Sequence, residues 1–111
     1  MNEKSKKIAD LNDELRTTFS TSKGRIVTTS GVDNLPVDDQ VKIFDLIKKF
    51  NNFNEGNDPY GEHDFGKVEH NGNEVFWKID YYDPDIKHHS LDASDRDKTV
   101  RLMTIMLTHE Y

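Results

Sequence analysis

Residues 65–82, FGKVEHNGNEVFWKIDYY, contain the pattern that decides the fold. Two segments rich in β-branched and aromatic residues, 65–70 and 74–82, flank Asn71-Gly72, and Asn-Gly between such segments is a strong indicator of a β-hairpin turn. Because side chains alternate between the two sides of a strand, the second segment separates into an apolar face and a mixed face. The apolar face carries Val75, Trp77, Ile79 and Tyr81, and the mixed face carries Phe76, Lys78, Asp80 and Tyr82. We therefore predict a central hairpin whose apolar face is directed to the core.

Other segments of the chain show helical spacing. Apolar residues recur every three or four positions in residues 4–19 and 37–50, as on one side of a helix. Acidic residues at the start of the second segment and lysines at its end suit the helix dipole. The same spacing between Ser94, a suitable N-cap, and Tyr111 predicts a third helix. Residues 25–29 (RIVTT) are short and β-branched, which predicts a strand.

The order of these segments predicts an α+β fold. Helix, strand, helix, hairpin and helix in succession favour a small antiparallel sheet with a central β-hairpin at about 65–82, packed against two to three helices. The sequence does not decide whether the strand at 25–29 pairs with the hairpin. With 111 residues and no visible boundary, the chain is expected to form a single domain over residues 1–111.

The charge is acidic overall and is concentrated in the second half of the chain. The net charge is −6, with 9 basic and 8 acidic side chains in residues 1–53 but 6 basic and 13 acidic ones in residues 54–111. Nucleic-acid phosphates require a basic footprint, so we expect no direct binding to nucleic acid, whereas a basic protein surface suits this charge. No apolar segment approaches the roughly 20 residues of a membrane span. The chain also lacks cysteine, so we expect a soluble, cytoplasmic protein without a disulfide framework.

The densest polar cluster is Glu62-His63-Asp64. Two carboxylates and an imidazole suit acid–base chemistry or a metal ion, and Asp80 is a distant carboxylate that could join them. Against this, alternate residues of an extended segment point to opposite sides, so His63 would face away from its two neighbours. The alternative is a turn network in which the carboxylates accept backbone N–H bonds where the first hairpin strand begins. None of the sequence patterns GxGxxG, GxxxxGK[ST], HExxH and GxSxG is present, and we expect no cofactor.

The mixed face of the second hairpin strand offers further candidates. Lys78 and Asp80 faintly resemble a metal-dependent nuclease strand, but the acidic-x-Lys order is missing because a phenylalanine occupies the acidic position. The alternative is a Lys–Asp cross-strand charge pair on a half-buried sheet. Tyr60 and Tyr82 are candidate contact residues, since tyrosine anchors many interfaces, whereas Trp77 is expected in the core.

Two longer blocks resemble a known family. Residues 57–66 (NDPYGEHDFG) and 76–83 (FWKIDYYD) are similar to the blocks of a bacterial family of unknown function. Its members are small single-domain proteins, common on plasmids and other mobile elements of proteobacteria. Shorter similarities towards both ends extend the resemblance over nearly the whole chain. The resemblance implies no activity and no catalytic residues, but it implies a context, because small acidic proteins of mobile elements often inhibit host defence by binding machinery that handles nucleic acid.

Three functional hypotheses follow, and we favour a role without catalysis. The first is an acidic interaction protein from a mobile element that inhibits a host defence system (anti-CRISPR or anti-restriction) by docking on the basic nucleic-acid-binding surface of a CRISPR or restriction complex. The second is a small metal-dependent or acid–base enzyme centred on Glu62, His63, Asp64 and Asp80. The third is a structural homo-oligomer, for example a homodimer through the exposed hairpin edge. For the first hypothesis the candidate partner-binding residues are Asp58, Tyr60, Glu62, Asp64, Lys78, Asp80, Tyr82, Asp83 and Asp85.

Overall fold

A computed structural model describes residues 2–111. Within these residues the chain forms three helices, four strands and two short 3₁₀ turns. The helices are α1 (Glu3–Thr18), α2 (Ser30–Asp33) and α3 (Val37–Lys49); the strands are β1 (Arg25–Thr28), β2 (Phe65–His70), β3 (Asn73–Tyr82) and β4 (Val100–Leu107); the 3₁₀ turns are Arg96–Lys98 and Thr108–Glu110.

The four strands form one sheet in the order β1-β4-β3-β2. The hairpin is present as predicted, with β2 antiparallel to β3, and β4 continues the antiparallel pattern on the other side of β3. The strand predicted at 25–29 corresponds to β1, which pairs with β4 in parallel and not with the hairpin. The α+β prediction is confirmed, and β1 at the edge makes the sheet a mixed one.

The helix predicted between Ser94 and Tyr111 is wrong, because this segment contains β4. Along β4 the inward side chains include Arg101, Met103 and Ile105, and the side chains between them are half-buried on the other face. The apolar residues of this segment fit a period of two as well as a helical period, and hydrogen bonding to both β1 and β3 decides for the strand. The Ser94 hydroxyl does not cap a helix and instead donates to Asp92 Oδ1.

The core lies between one face of the sheet and the two long helices. Trp77 on β3 is fully buried, and the Phe50 ring after α3 meets it edge-on at 5.5 Å between centroids. Gly66 lies opposite Trp77 in the hairpin. A Cβ atom at Gly66 would be 2.6 Å from Trp77 Nε1, so only glycine fits beneath the indole. The core cluster consists of Leu15, Val32, Ile43, Ile47, Val68, Val75, Trp77, Ile79, Met103 and Ile105, with Tyr81 partly buried against it.

The opposite face of the sheet carries the mixed side of the hairpin, and its side chains are half-buried or exposed except for Met106, which is buried. One row across this face runs from Arg25 on β1 through Leu102 on β4 to Asp80 on β3. The next row joins Val27, Thr104 and Lys78, in the same strand order. Within residues 2–111, no helix has the length and apolar character needed to cross a membrane.

Candidate functional site

The segment that leads into β2 is organised by the carboxylate of Asp58. This side chain is buried, and its Oδ1 accepts hydrogen bonds from the backbone N–H of Glu62 (3.0 Å) and of His63 (3.1 Å). The backbone φ of His63 is 57°, in the left-handed region, so the chain turns at this residue and is not extended as the sequence predicts. A turn network is thus present, but it is built on the Asp58 carboxylate and not, as the alternative to a catalytic cluster has it, on those of Glu62 and Asp64.

The His63 ring is held by α1 and by an aromatic ring, and not by the carboxylates next to it in sequence. It stacks on Phe53 with 3.9 Å between centroids, and its Nδ1 is 3.1 Å from both carboxylate oxygens of Asp13. Its Nε2 is 3.8 Å from Asp58 Oδ2. With Asp58 and Phe53, His63 lines a depression of about 380 Å³ that is formed by the loop of residues 53–63.

A buried arginine on α1 supports this arrangement. Arg16 Nη2 donates to Asp13 Oδ1 at 2.9 Å, while Nη1 donates to backbone carbonyls at the end of α3, including those of Ile47 (3.0 Å) and Phe50 (2.8 Å). Carbonyls at a helix C-terminus lack intrahelical partners, and a cation there is favoured by the helix dipole. Arg16 is thus a structural link between α1, α3 and His63.

Glu62 belongs to a second buried network. Its carboxylate accepts from the Tyr81 hydroxyl at 2.9 Å, and Asn12 Nδ2 donates both to that hydroxyl and to the Glu62 backbone carbonyl, each at 2.9 Å. Arg101 Nε donates to Asn12 Oδ1 at 2.7 Å. Burial raises the pKa of Tyr81, which keeps its hydroxyl protonated as a donor. Glu62 therefore helps to hold β3 against α1.

Asp64 and Asp80 come together in a separate groove of about 380 Å³ on the mixed face of the sheet. Lys78 lies between them in sequence and pairs with Asp80, with 3.3 Å between Nζ and Oδ2, so a Lys–Asp charge pair is present, but it forms within β3 and not across strands as predicted. Two strongly exposed rings flank the carboxylates, Tyr60 at 76% and Tyr111 at 73% exposure. The groove, which we call the acidic groove, is lined by Asn57, Pro59, Tyr60, Asp64, Phe65, Lys78, Ile79, Asp80 and Tyr111.

The electrostatics of the acidic groove centre on Asp64. Burial raises its pKa from 3.8 to about 6, and the nearby charge of Glu62 adds to this effect, although a backbone hydrogen bond opposes it. Asp58 and Asp80 raise it further. A carboxylate in this position is repelled by its neighbours and would be stabilised by an added cation.

Five predicted contact residues lie outside the acidic groove: Asp58 and Glu62, whose networks are described above, and Tyr82, Asp83 and Asp85. Tyr82 stacks on His89 with ring centroids 6.1 Å apart. The Asp83 carboxylate accepts from the Lys87 backbone N–H at 3.0 Å, and this bond lowers the pKa of Asp83. Asp85 is exposed in the same loop. Tyr82, Asp83 and Asp85 organise or border the loop that follows β3.

The four residues of the enzymatic hypothesis do not converge. His63 lines the depression beside Phe53, whereas Asp64 and Asp80 line the acidic groove and Glu62 is bonded to Tyr81. In the part of the chain that the structure describes, residues 2–111, no group of three or more His, Cys, Asp or Glu side chains is arranged to hold a metal ion.

Sequence reasoning missed the polar side chains that α1 and β4 contribute to these networks. Asn12, Asp13 and Arg16 lie on α1, and Arg101 lies on β4, so all four are distant in sequence from Glu62 and His63. The spacing along α1 was one available signal. Ile8, Asn12 and Arg16 are four residues apart, so the two polar residues continue the buried side of the helix that Ile8 begins. A polar side chain at such a position requires a buried partner.

Comparison with known proteins places the chain in a family. No curated protein and no solved structure matches it. Residues 28–110 match the family model described as "Protein of unknown function (DUF3768)", a range that includes both hairpin strands and all the acidic-groove residues except Tyr111 and leaves α1 outside. The chain therefore belongs to the DUF3768 family.

Proposed function

We propose that the chain is an interaction protein whose acidic groove binds a Lys- or Arg-bearing segment of a protein partner. The observation that carries this proposal is the placement of Asp64 and Asp80 in one groove between the exposed rings of Tyr60 and Tyr111. Carboxylates attract a cationic side chain, and exposed tyrosines add contact area and cation–π attraction. A guanidinium or ammonium group fits this combination better than a neutral or anionic one.

The raised pKa of Asp64 supports a cationic ligand. Its carboxyl is partly buried and lies near Glu62, Asp58 and Asp80, which disfavour its charged form. A cation from a partner would offset this repulsion and would itself find two carboxylates, those of Asp64 and Asp80, in the groove. Binding is therefore expected to release protons from Asp64 when it is measured near pH 6.

The charge of the second half of the chain extends this preference beyond the groove. Residues 54–111 carry 13 acidic and 6 basic side chains, and a field of this sign speeds the approach of a basic surface. Proteins that bind nucleic acid present such surfaces. A restriction or CRISPR complex is therefore the partner class that we propose, with inhibition of host defence as the consequence of occupying its nucleic-acid-binding surface.

The groove is tested with a short peptide rich in Lys and Arg, followed by ¹H–¹⁵N NMR. We expect saturable shifts at residues 57–65, 78–80 and 111, and weaker binding as salt is raised from about 50 to 300 mM. Asp64→Asn and Asp80→Asn should each weaken the affinity about five- to tenfold, the equivalent of roughly 1–1.4 kcal/mol. The peptide is kept short so that it reports on the groove alone.

The matched control is Asp45→Asn, which removes one exposed carboxylate on α3 and should leave the affinity unchanged. An acidic peptide of the same length should not bind. Equal weakening by Asp45→Asn, or an affinity that does not respond to salt, contradicts the proposal.

The cellular partner is sought by affinity capture from a host that carries restriction and CRISPR systems. The wild-type chain and Asp80→Lys serve as paired baits, because reversal of this charge should repel a basic surface. We expect a nucleic-acid-binding protein that only the wild-type chain retains and that salt releases. A protein held equally by both baits is not a ligand of the acidic groove.

A further inference from the structure

A second depression, of about 250 Å³, has the opposite charge. It opens where the loop after α1 meets the starts of β1 and β4, and we call it the basic pocket. Four cationic side chains line it in a protein whose net charge is −6. The lining residues are Thr21, Ser22, Lys23, Gly24, Arg25, Arg96, Thr99, Val100 and Arg101.

The buried member of the basic pocket is Arg101, of which only 3% is exposed. Its Nε donates to Asn12 Oδ1 at 2.7 Å, and its Nη2 donates to the backbone carbonyl of Ala93. Within residues 2–111 these bonds leave Nη1 without a hydrogen-bond partner. A guanidinium presents five N–H donors in a rigid fork, so Arg101 is fixed in place with donors to spare.

The other cations are only partly neutralised. Glu14 Oε2 is 2.9 Å from Arg96 Nη2 and 3.7 Å from Lys23 Nζ, and it is the carboxylate that these two groups share. Arg25 is exposed and makes no ion pair within residues 2–111. The four cations and Glu14 together leave an excess of positive charge at the basic pocket.

The pocket also offers neutral donors and a close backbone. Thr21 and Ser22 precede Lys23 in the loop, and the Ser22 hydroxyl shares a 2.8 Å hydrogen bond with the Ser20 hydroxyl. A Cβ at Gly24 would lie 2.8 Å from the Arg101 carbonyl oxygen, so glycine lets the loop that carries Lys23 pack directly against the β4 backbone at Arg101. Forked guanidinium donors together with hydroxyls match an anion with several oxygens better than a single carboxylate.

We propose that the basic pocket binds a phosphate group, either as inorganic phosphate or as the terminal phosphate of a small phosphate monoester. Arg101 provides the fixed donors, Lys23, Arg25 and Arg96 provide charge at the rim, and Thr21 and Ser22 provide hydroxyls. The open volume of about 250 Å³ leaves room for a small organic group attached to the phosphate. This site is separate from the acidic groove and uses none of its residues.

The test is an NMR titration of the full chain at constant ionic strength, with inorganic phosphate in one arm and glycerol 3-phosphate in the other. We expect saturable shifts confined to residues 21–25 and 96–101. The variant Lys23→Gln/Arg25→Gln changes only rim cations, so it should fold, and it should weaken the affinity tenfold or more because each bond to a charged group contributes strongly. Arg96→Gln should act in the same direction.

Lys42→Gln is the matched control, since it removes one exposed cation on α3 far from the pocket. Tighter binding of the monoester would identify the organic group as part of the ligand, and equal affinities would identify phosphate alone. Shifts that do not saturate, that chloride reproduces, or that persist in Lys23→Gln/Arg25→Gln overturn the proposal. Asp64→Asn should leave phosphate binding intact, so the proposal for this site and the proposal for the acidic groove can be contradicted independently of each other.

Discussion

Asp64 connects the acidic groove to the stability of the fold. Its pKa is raised from 3.8 to about 6 in the folded protein, first by burial and then by Glu62. A carboxyl group with a higher pKa in the folded than in the unfolded state binds protons preferentially when folded. Its charged form therefore destabilises the protein at neutral pH. This penalty disappears as the pH falls through about 6 towards 4.

We expect Asp64→Asn to raise the midpoint of thermal unfolding at about pH 7.5, because an amide of similar shape carries no charge to bury. The gain should shrink as the pH falls through 6, since wild-type Asp64 then becomes protonated in the folded state. Circular dichroism melts at about pH 7.5, 6 and 4.5 measure this difference. A gain of the same size at every pH would show that the charge of Asp64 is not its cause, and Asp45→Asn should show no such trend.

At the residue scale, the sequence predicted which residue types matter better than it predicted their partners. Asp64, Lys78 and Asp80 do share one groove, because alternation along a strand is a local property. The environment of His63 was not predictable, since φ of 57° breaks the alternation and its partner Asp13 is 50 residues away. Such contacts depend on how helices pack on the sheet, which no short sequence pattern encodes.

At the scale of elements, α1, α3 and the hairpin begin and end within about two residues of their predicted bounds. Their patterns were unambiguous, because length and hydrophobic period agreed with each other. β4 was mistaken for a helix because Val100–Leu107 contains six apolar residues in eight and fits two periods. The choice between those periods is made by two neighbouring strands, and hence by the tertiary fold.

Arg16 joins α1 to the end of α3, and we expect Arg16→Met to reduce the free energy of unfolding by about 3 kcal/mol. Methionine keeps the apolar stem but leaves the carbonyls of Ile47 and Phe50 without their donor. Urea denaturation measures the change. Arg96→Met, at a surface ion pair, should cost less than about 1 kcal/mol. Similar losses for the two variants would mean that Arg16 acts as an ordinary surface charge.

At the scale of the molecule, the sheet order places Arg25, at the rim of the basic pocket, on the face that carries the acidic groove, whereas the Arg101 side chain lies on the core-facing side of β4. Arg25 of the basic pocket and Asp80 of the acidic groove flank Leu102 in a single row across β1, β4 and β3. Strands are spaced about 4.8 Å apart, so the backbones at these two residues are roughly 10 Å apart. A folded partner that covers the acidic groove therefore also reaches Arg25 at the rim of the basic pocket.

The same sheet order makes β4, late in the sequence, the connection between β1 and the hairpin. A chain ending at Thr99 keeps α1, α3 and the hairpin but loses the strand that pairs with both β1 and β3 and supplies Met103 and Ile105 to the core. An isolated hairpin is at best marginally stable in water. We therefore expect this chain to lack a cooperative thermal transition and to show the fluorescence of exposed Trp77. A chain ending at Glu110 should melt cooperatively, and native-like NMR dispersion in the shorter chain would show that β4 is not required for the fold.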